Sequence, residues 1–273
     1  MHPNKSPGPD GMSPVFFQKF WPILKVDIIC AVNSFFDSGF ILKSINETLI
    51  SLIPKTELPS TIADLRPISL CNVLYKIISK VITNRFKHVL NYCISCPQSA
   101  FVPGRQILDN VLIAHEVIHF LKNKRTGRDG YMAIKIDMAK AYDRVEWNFL
   151  AKVMLRMGFC PKWMQWVMQC VSSVTYAINF NGEKRGFIKP TRGLRQGDPL
   201  SPYLFLICAE GFSSLLKQAV VQGKLTGVRI AQEAPRLSHL FLADDSLIFC
   251  KATTMETGQL RRILEDTGKL RDN

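Results

Sequence analysis

Two aspartates stand side by side inside an otherwise apolar run, FLADDSLIF at 241–249. Apolar residues on both sides demand burial, so the segment is expected to fold as two short strands in a buried hairpin with Asp244 and Asp245 at its tip. Aspartate favours turns, and a plain turn is one explanation of the pair. The other comes from charge. A second ionised carboxylate beside the first, in apolar surroundings, needs a compensating cation, which a divalent metal supplies. A second apolar strand, YMAIKID at 131–137, also ends on a carboxylate, Asp137. Three carboxylates on strand ends are a donor set for two Mg²⁺ ions about 3.5 to 4 Å apart, the arrangement that serves nucleotidyl transfer.

The chain of 273 residues carries a formal charge of +13, concentrated in its middle third, which suits a polyanionic partner such as nucleic acid. With 47% apolar residues and only 16 Gly and 15 Pro, it belongs with globular proteins. Eight cysteines scattered through apolar stretches are expected reduced and buried. The start, MHPNKSPGPDG, lacks the apolar centre of a signal peptide, and no run approaches the roughly 18 apolar residues of a membrane span. No membrane association is expected, and the location expected is nuclear or cytoplasmic.

Periodicity predicts a helix over 14–38, a strand over 49–53 and an amphipathic helix over 70–91. On that last helix Lys76, Lys80 and Lys87 share a face, either a phosphate-tracking stripe or a solvated surface. A further helix covers 109–122, with Ile107, Val111, Ala114, Ile118 and Leu121 in register. Asp143 and Glu146 resemble a capping box for a helix ending at Gly158. Asn181-Gly182 between apolar runs predicts a hairpin over 176–188, and Asp198-Pro199 opens a long apolar helix ending near Gly223. Strands and helices mix without strict alternation, which argues for an α+β fold.

GLRQGDPLSP at 193–202 lets the backbone approach a ligand closely at Gly193 and Gly197 while presenting Arg195 and Gln196, although alone it is only a turn before a helix. The order of these segments resembles the reverse transcriptase domain of LINE-type (non-LTR) retrotransposons, especially plant members. The likeness runs through NKSPGPDG, LISLIPK, LRPISLCNVLYKIISKVITNRF, SAFVPGRQILDN, IKIDMAKAYDRVEW, GLRQGDPLSPYLF and HLFLADDSLIF, nearly the whole chain in order.

That resemblance implies a right-hand polymerase: an N-terminal extension and fingers over 1–130, and a palm with an antiparallel sheet packed on helices over 131–273, with fingers elements returning around 150–192. It implies an RNA-directed DNA polymerase that extends a DNA primer, or target DNA, on an RNA template with dNTPs and Mg²⁺, Mn²⁺ being able to substitute. Asp137, Asp244 and Asp245 become the catalytic metal ligands. Lys55 and Arg66 match the pair that grips the triphosphate, and Gln196 the side chain near nucleotide and template. Tyr142 matches the aromatic that excludes a 2′-hydroxyl, the alternative being a core aromatic. Arg105 matches a template contact, the alternative being an ordinary surface arginine; Arg195, Gly193 and Gly197 are placed along template or primer. Leu242 stands where many members have an aromatic. The chain is expected to lack the thumb, and the endonuclease segment of a parent polyprotein.

Two other chemistries compete. HEVIH at 115–119 satisfies the HExxH zinc-protease pattern on a helix, but its histidines flank the apolar face and no third ligand is apparent. Cys93-x-x-Cys96 is a lone pair beside Pro97, more simply a turn. A catalytically silent nucleic-acid-binding remnant of a mobile element is the rival of a different class.

Overall fold

The computed structural model describes residues 1–124, 130–138, 140–242 and 245–272. In chain order the elements are α1 (Pro14–Lys19), α2 (Trp21–Ser38), α3 (Lys43–Asn46), β1 (Glu47–Pro54), β2 (Leu65–Cys71), α4 (Val73–Lys87), α5 (Leu90–Cys93), α6 (Ile107–Asn123) and β3 (Tyr131–Asp137). They continue with α7 (Trp147–Arg156), α8 (Pro161–Ser172), β4 (Thr175–Phe180), β5 (Glu183–Ile188), α9 (Ser201–Val221), β6 (His239–Leu242), β7 (Asp245–Lys251) and α10 (Thr254–Asp272). The mixture is α+β, as expected. The chain forms two compact units, Met1–Phe86 with Tyr142–Leu204, and Lys87–Ala141 with Phe205–Asn273. Residues 87–130 thus group with the second unit, and residues 142–204 return to the first.

In the first unit a four-stranded sheet runs β2-β1-β4-β5, with β1 antiparallel to β2 and parallel to β4. Its β4–β5 hairpin turns where the sequence placed it, through Asn181 at φ +51 and Gly182 at φ +84, the left-handed pair that a two-residue turn needs. Leu70 and Cys71, inside the helix expected over 70–91, instead end strand β2. It is an edge strand, where Pro67 costs no ladder hydrogen bond, and the helix begins only at Val73. The expected helix over 14–38 is broken at Phe20, because Pro22 lacks an amide and restarts α2 in its first turn. Helix α8, unforeseen, starts on Pro161 and buries Val167, Cys170 and Val171.

Helix α4 buries Val73, Tyr75, Ile78, Ile82 and Phe86, and the Phe86 ring stacks on Phe159 and Trp163 at centroid distances of 5.4 and 5.9 Å. Lys76 is on the buried side too, and burial pulls its pKa down. The lysine stripe is therefore interrupted, because α4 buries more than the strip that its apolar residues mark, Ser79 and Thr83 included.

In the second unit an antiparallel sheet runs β3-β7-β6. One face packs Phe241, Ile248 and Cys250, with Ile134 and Ile136, against Phe212 and Leu216 of α9 and Leu260 and Ile263 of α10. The other packs Leu240, Phe249 and Tyr131 against Ala114 and Val117 of α6. Val111 and Ile107, placed on the apolar side of α6 by spacing, are 45% and 53% exposed, since Asn110 takes the inner position.

Helix α9 corrects the expectation about membrane-length segments. It is long and apolar enough to cross a membrane, despite Glu210 and Lys217, but 61% of its most apolar window is buried inside the fold, as for a core helix. All eight cysteines are free; Cys71, Cys170 and Cys250 are buried, but Cys30, Cys96 and Cys160 are exposed.

Candidate active site

The acids of the second unit stand at one end of its sheet. β6 and β7 form the expected hairpin, with Leu242 opposite Asp245, and β3 adds Asp137 directly opposite Asp245. Asp244 lies outside the described residues. Directly opposed residues in an antiparallel pair share a face with Cβ atoms about 5 Å apart, and like charges placed so are destabilising. The alternation of β3 puts Ile134 and Ile136 toward the core, and Ala133, Lys135 and Asp137 toward solvent. Lys135 answers part of the negative charge: its Nζ lies 3.1 Å from Asp245 Oδ1. One exposed lysine against two opposed carboxylates leaves a net negative charge, and hard carboxylate oxygens are the donors that Mg²⁺ or Mn²⁺ prefers. The residues fit a divalent metal. Among the described residues no group of three His, Cys, Asp or Glu gathers as a metal site, Asp244 not being one of them.

The first unit holds the residues expected to meet a nucleotide. Lys55 follows the end of β1 and donates from Nζ to the Ala63 carbonyl at 2.8 Å; Arg66 is on β2, opposite Ile53 and exposed. The β1–β2 hairpin thus carries both cations at its outer end. Between its strands Asp64 caps a turn, accepting bonds from Thr61 and Ser60 that lower its pKa. Tyr142 is partly buried, and its carbonyl accepts from Leu194 N at 2.9 Å. Gln196 is partly exposed, and its carbonyl accepts from Ser69 N at 2.8 Å.

Arg195, expected along a template or primer, is instead the centre of this unit's interior. It is 3% exposed; its guanidinium donates to Asn46 Oδ1 at 2.6 Å and to the Cys170 carbonyl at 2.7 Å, lies 3.5 Å from Asp198, and stacks 3.8 Å from the Tyr75 ring centre. Tyr75 in turn donates to Asp198 at 2.6 Å. Burial pushes the Tyr75 phenol well above its ordinary pKa and the Cys170 thiol up to about 12, so both stay protonated donors. The cluster fixes the loop that carries Gln196.

Gly193 and Gly197 are close-approach residues, as expected, but what they approach is this chain. At φ +96 a Cβ on Gly193 would meet the Asp143 carbonyl at 3.1 Å, and at φ +104 one on Gly197 would meet the Ser69 carbonyl at 3.3 Å. Trp147 Nε1 donates to the Gly193 carbonyl at 2.8 Å and closes the same clasp. The capping box does not form: α7 starts after Glu146 without a side-chain cap, and Glu146 pairs with Arg192 at 3.1 Å.

Arg105, expected on a template, donates to the carbonyls of Ile94, Ser95 and Gln98 at 2.6–2.7 Å and is committed to folding its own loop. Asn110, which the sequence reading passed over, donates to the Pro97 and Phe241 carbonyls at 2.8 and 3.0 Å and pins that loop along β6. Its signal was a polar residue in the buried register of an apolar helix. His239, also passed over, is buried between Ser213 Oγ at 2.9 Å and Ser238 Oγ at 2.8 Å. In HEVIH, His115, Glu116 and His119 are all exposed, and His119 bonds Asn123 at 2.9 Å, so the pattern builds no zinc site among the described residues.

Comparison with known proteins gives the family. The family of "Reverse transcriptase (RNA-dependent DNA polymerase)" matches residues 53–270. The chain is 34% identical over 245 residues to the "Transposon TX1 uncharacterized 149 kDa protein" of Xenopus laevis, covering 90% of this chain and 18% of that one. It is 26% identical over 248 residues, 91% of this chain and 22% of the other, to a retrovirus-related Pol polyprotein from a type-2 retrotransposable element of Drosophila melanogaster. An uncharacterized mitochondrial protein of Arabidopsis thaliana is 53% identical over 66 residues, 24% of this chain and 54% of that one. The chain spans about a fifth of the transposon and Pol proteins and about half of the mitochondrial one. On the match over 53–270 the chain belongs to the reverse transcriptase (RNA-dependent DNA polymerase) family, and its relatives include proteins of a transposon and of a retrotransposable element.

Proposed function

We propose that this chain extends a DNA primer on an RNA template, taking dNTPs and Mg²⁺, within the larger protein of a non-LTR retrotransposon. The observation that carries the reading is Asp137 directly opposite Asp245 at the open end of the β3–β7 pair, in a chain of this family. Reverse transcriptases use divalent metal ions; Asp137, Asp245 and, from the family motif, Asp244 would hold them. Bound there, the metal would stabilise charge on the attacking and leaving oxygens. Lys135 would orient Asp245 through their ion pair. In the first unit, which we take as fingers, Lys55 and Arg66 would hold the triphosphate charge, Tyr142 would exclude a ribose 2′-hydroxyl by bulk, and Gln196 would lie along the nucleotide. The second unit would be the palm.

The test is primer extension on a homopolymer RNA template with dNTPs and Mg²⁺ or Mn²⁺. The reading expects dNTP addition that chelation abolishes and that excess metal restores. Binding of primer and template without extension, under either metal, would leave a silent nucleic-acid-binding remnant instead.

A further inference from the structure

The outer surface of the first unit has a cleft of about 470 Å³ that none of the roles above uses. Phe40 and Phe187 line it, 58% and 71% exposed, together with Lys43, Lys189, Gln169 and Ser172. Phe187 is on β5, whose six residues are all exposed. It follows Gly186, at φ +71, in a bulge opposite Ala177, a device that turns a side chain out of the strand's alternation. Exposed aromatic rings beside unpaired cations are the elements of a single-strand platform, because every base has a face to stack and every linkage a phosphate to neutralise. Lys43 and Lys189 form no ion pair among the described residues. The cleft's carboxylate, Glu47, is already paired with Lys184.

The polar lining selects further. Ser172 Oγ donates to the Met168 carbonyl at 2.7 Å, so toward the cleft it offers only lone pairs. Ser173 Oγ likewise donates to the Gln169 carbonyl at 2.6 Å and accepts from Asn46 at 2.8 Å. These two hydroxyls favour a ligand that brings donors as well as negative charge. An unpaired ribonucleotide brings both, its 2′-hydroxyl being the donor that DNA lacks.

We propose that this cleft is a docking site for single-stranded RNA, with a base stacked on Phe187 or Phe40 and its phosphates held by Lys43 and Lys189. The choice of nucleic acid rests on the function proposed above. Fluorescence anisotropy of the whole chain with labelled single-stranded oligouridine tests it, beside the matched deoxyuridine strand and a blunt RNA–DNA duplex. Phe187→Ala and Lys189→Ala should each weaken binding of the RNA strand by about fivefold or more, one by a lost stack and the other by a lost phosphate contact, while Phe187→Trp keeps wild-type affinity. The deoxy strand should lose less, and affinity for the blunt duplex should not change. Unchanged RNA affinity in both variants overturns the site. Equal losses for RNA and DNA overturn the assignment to RNA, and equal losses for the blunt duplex show disturbed folding and overturn it too. Because this binding assay uses no dNTP, failure of the polymerase reading would appear separately, as absent dNTP addition by the wild type in the primer-extension test above.

Discussion

At the scale of single residues, position in the fold separates side chains that the sequence placed together. Gln196 and Arg195 are adjacent in GLRQGDPLSP, yet one reaches solvent and the other is 3% exposed. Arg195→Ala would leave Asp198 and the Cys170 carbonyl without their cation, and breaking such a buried pair costs about 3–5 kcal/mol. Thermal unfolding should show that loss, and Arg195→Lys should recover little of it, since an ammonium cannot reproduce the fork or stack flat on Tyr75. Tyr142 carries a different expectation. If it excludes a 2′-hydroxyl by bulk, Tyr142→Val should raise ribonucleotide over deoxyribonucleotide incorporation with little change in stability; wild-type selectivity would return it to the role of a core aromatic. Lys55→Ala and Arg66→Ala should raise the dNTP concentration for half-maximal rate, each removing a charge-assisted contact, and should leave template affinity nearly unchanged. Equal losses for nucleotide and template would point to a disturbed β1–β2 hairpin.

Among elements, the strand β6 that leads to the aspartate pair is held from two sides, by Asn110 to the Phe241 carbonyl and by His239 to Ser213 of α9. His239 gives the second unit a pH dependence. Burial, with Lys217 adding to it, lowers its pKa from 6.5 to about 4, so the folded form keeps it neutral while the unfolded chain takes up a proton below 6.5. The stability it allows is full above pH 6.5 and is lost as pH falls toward 4, by up to about 3 kcal/mol. Denaturant midpoints between pH 7 and 4 should fall less steeply in His239→Asn than in wild type; parallel curves would remove His239 as the cause. Elements were legible where local chemistry decides them. Asn181-Gly182 and Tyr131–Asp137 were read at their true positions, one from turn residues and one from an apolar run closed by an acid. Strand β2 and helix α8 were not, because Pro67 reads as a breaker unless its strand is known to be an edge, and α8 is marked chiefly by packing. Arg105 and Arg195 were misplaced for a related reason: an arginine after a turn reads the same whether it faces a phosphate or a carbonyl, and only burial tells them apart.

The scale of the whole chain is where charge acts. A net +13 supports nucleic-acid binding through phosphates, and a complex with about six phosphate contacts loses roughly 10³ in affinity between 50 and 200 mM salt. Titration of a primer–template duplex across that range should give such a slope; a flat response would mean that the basic excess serves solubility alone. On the function proposed, catalysis is separable from this term, because the acids would act on the transition state and the cations on the duplex. The most direct measurement therefore compares Asp137→Asn and Asp245→Asn with wild type for single-nucleotide extension rate and for duplex affinity in the same buffer. The expected result is extension reduced by about 10³ or more in both variants, with affinity within about twofold of wild type. Extension within a few-fold of wild type in either variant would contradict the assignment of the opposed aspartates as the metal-holding pair.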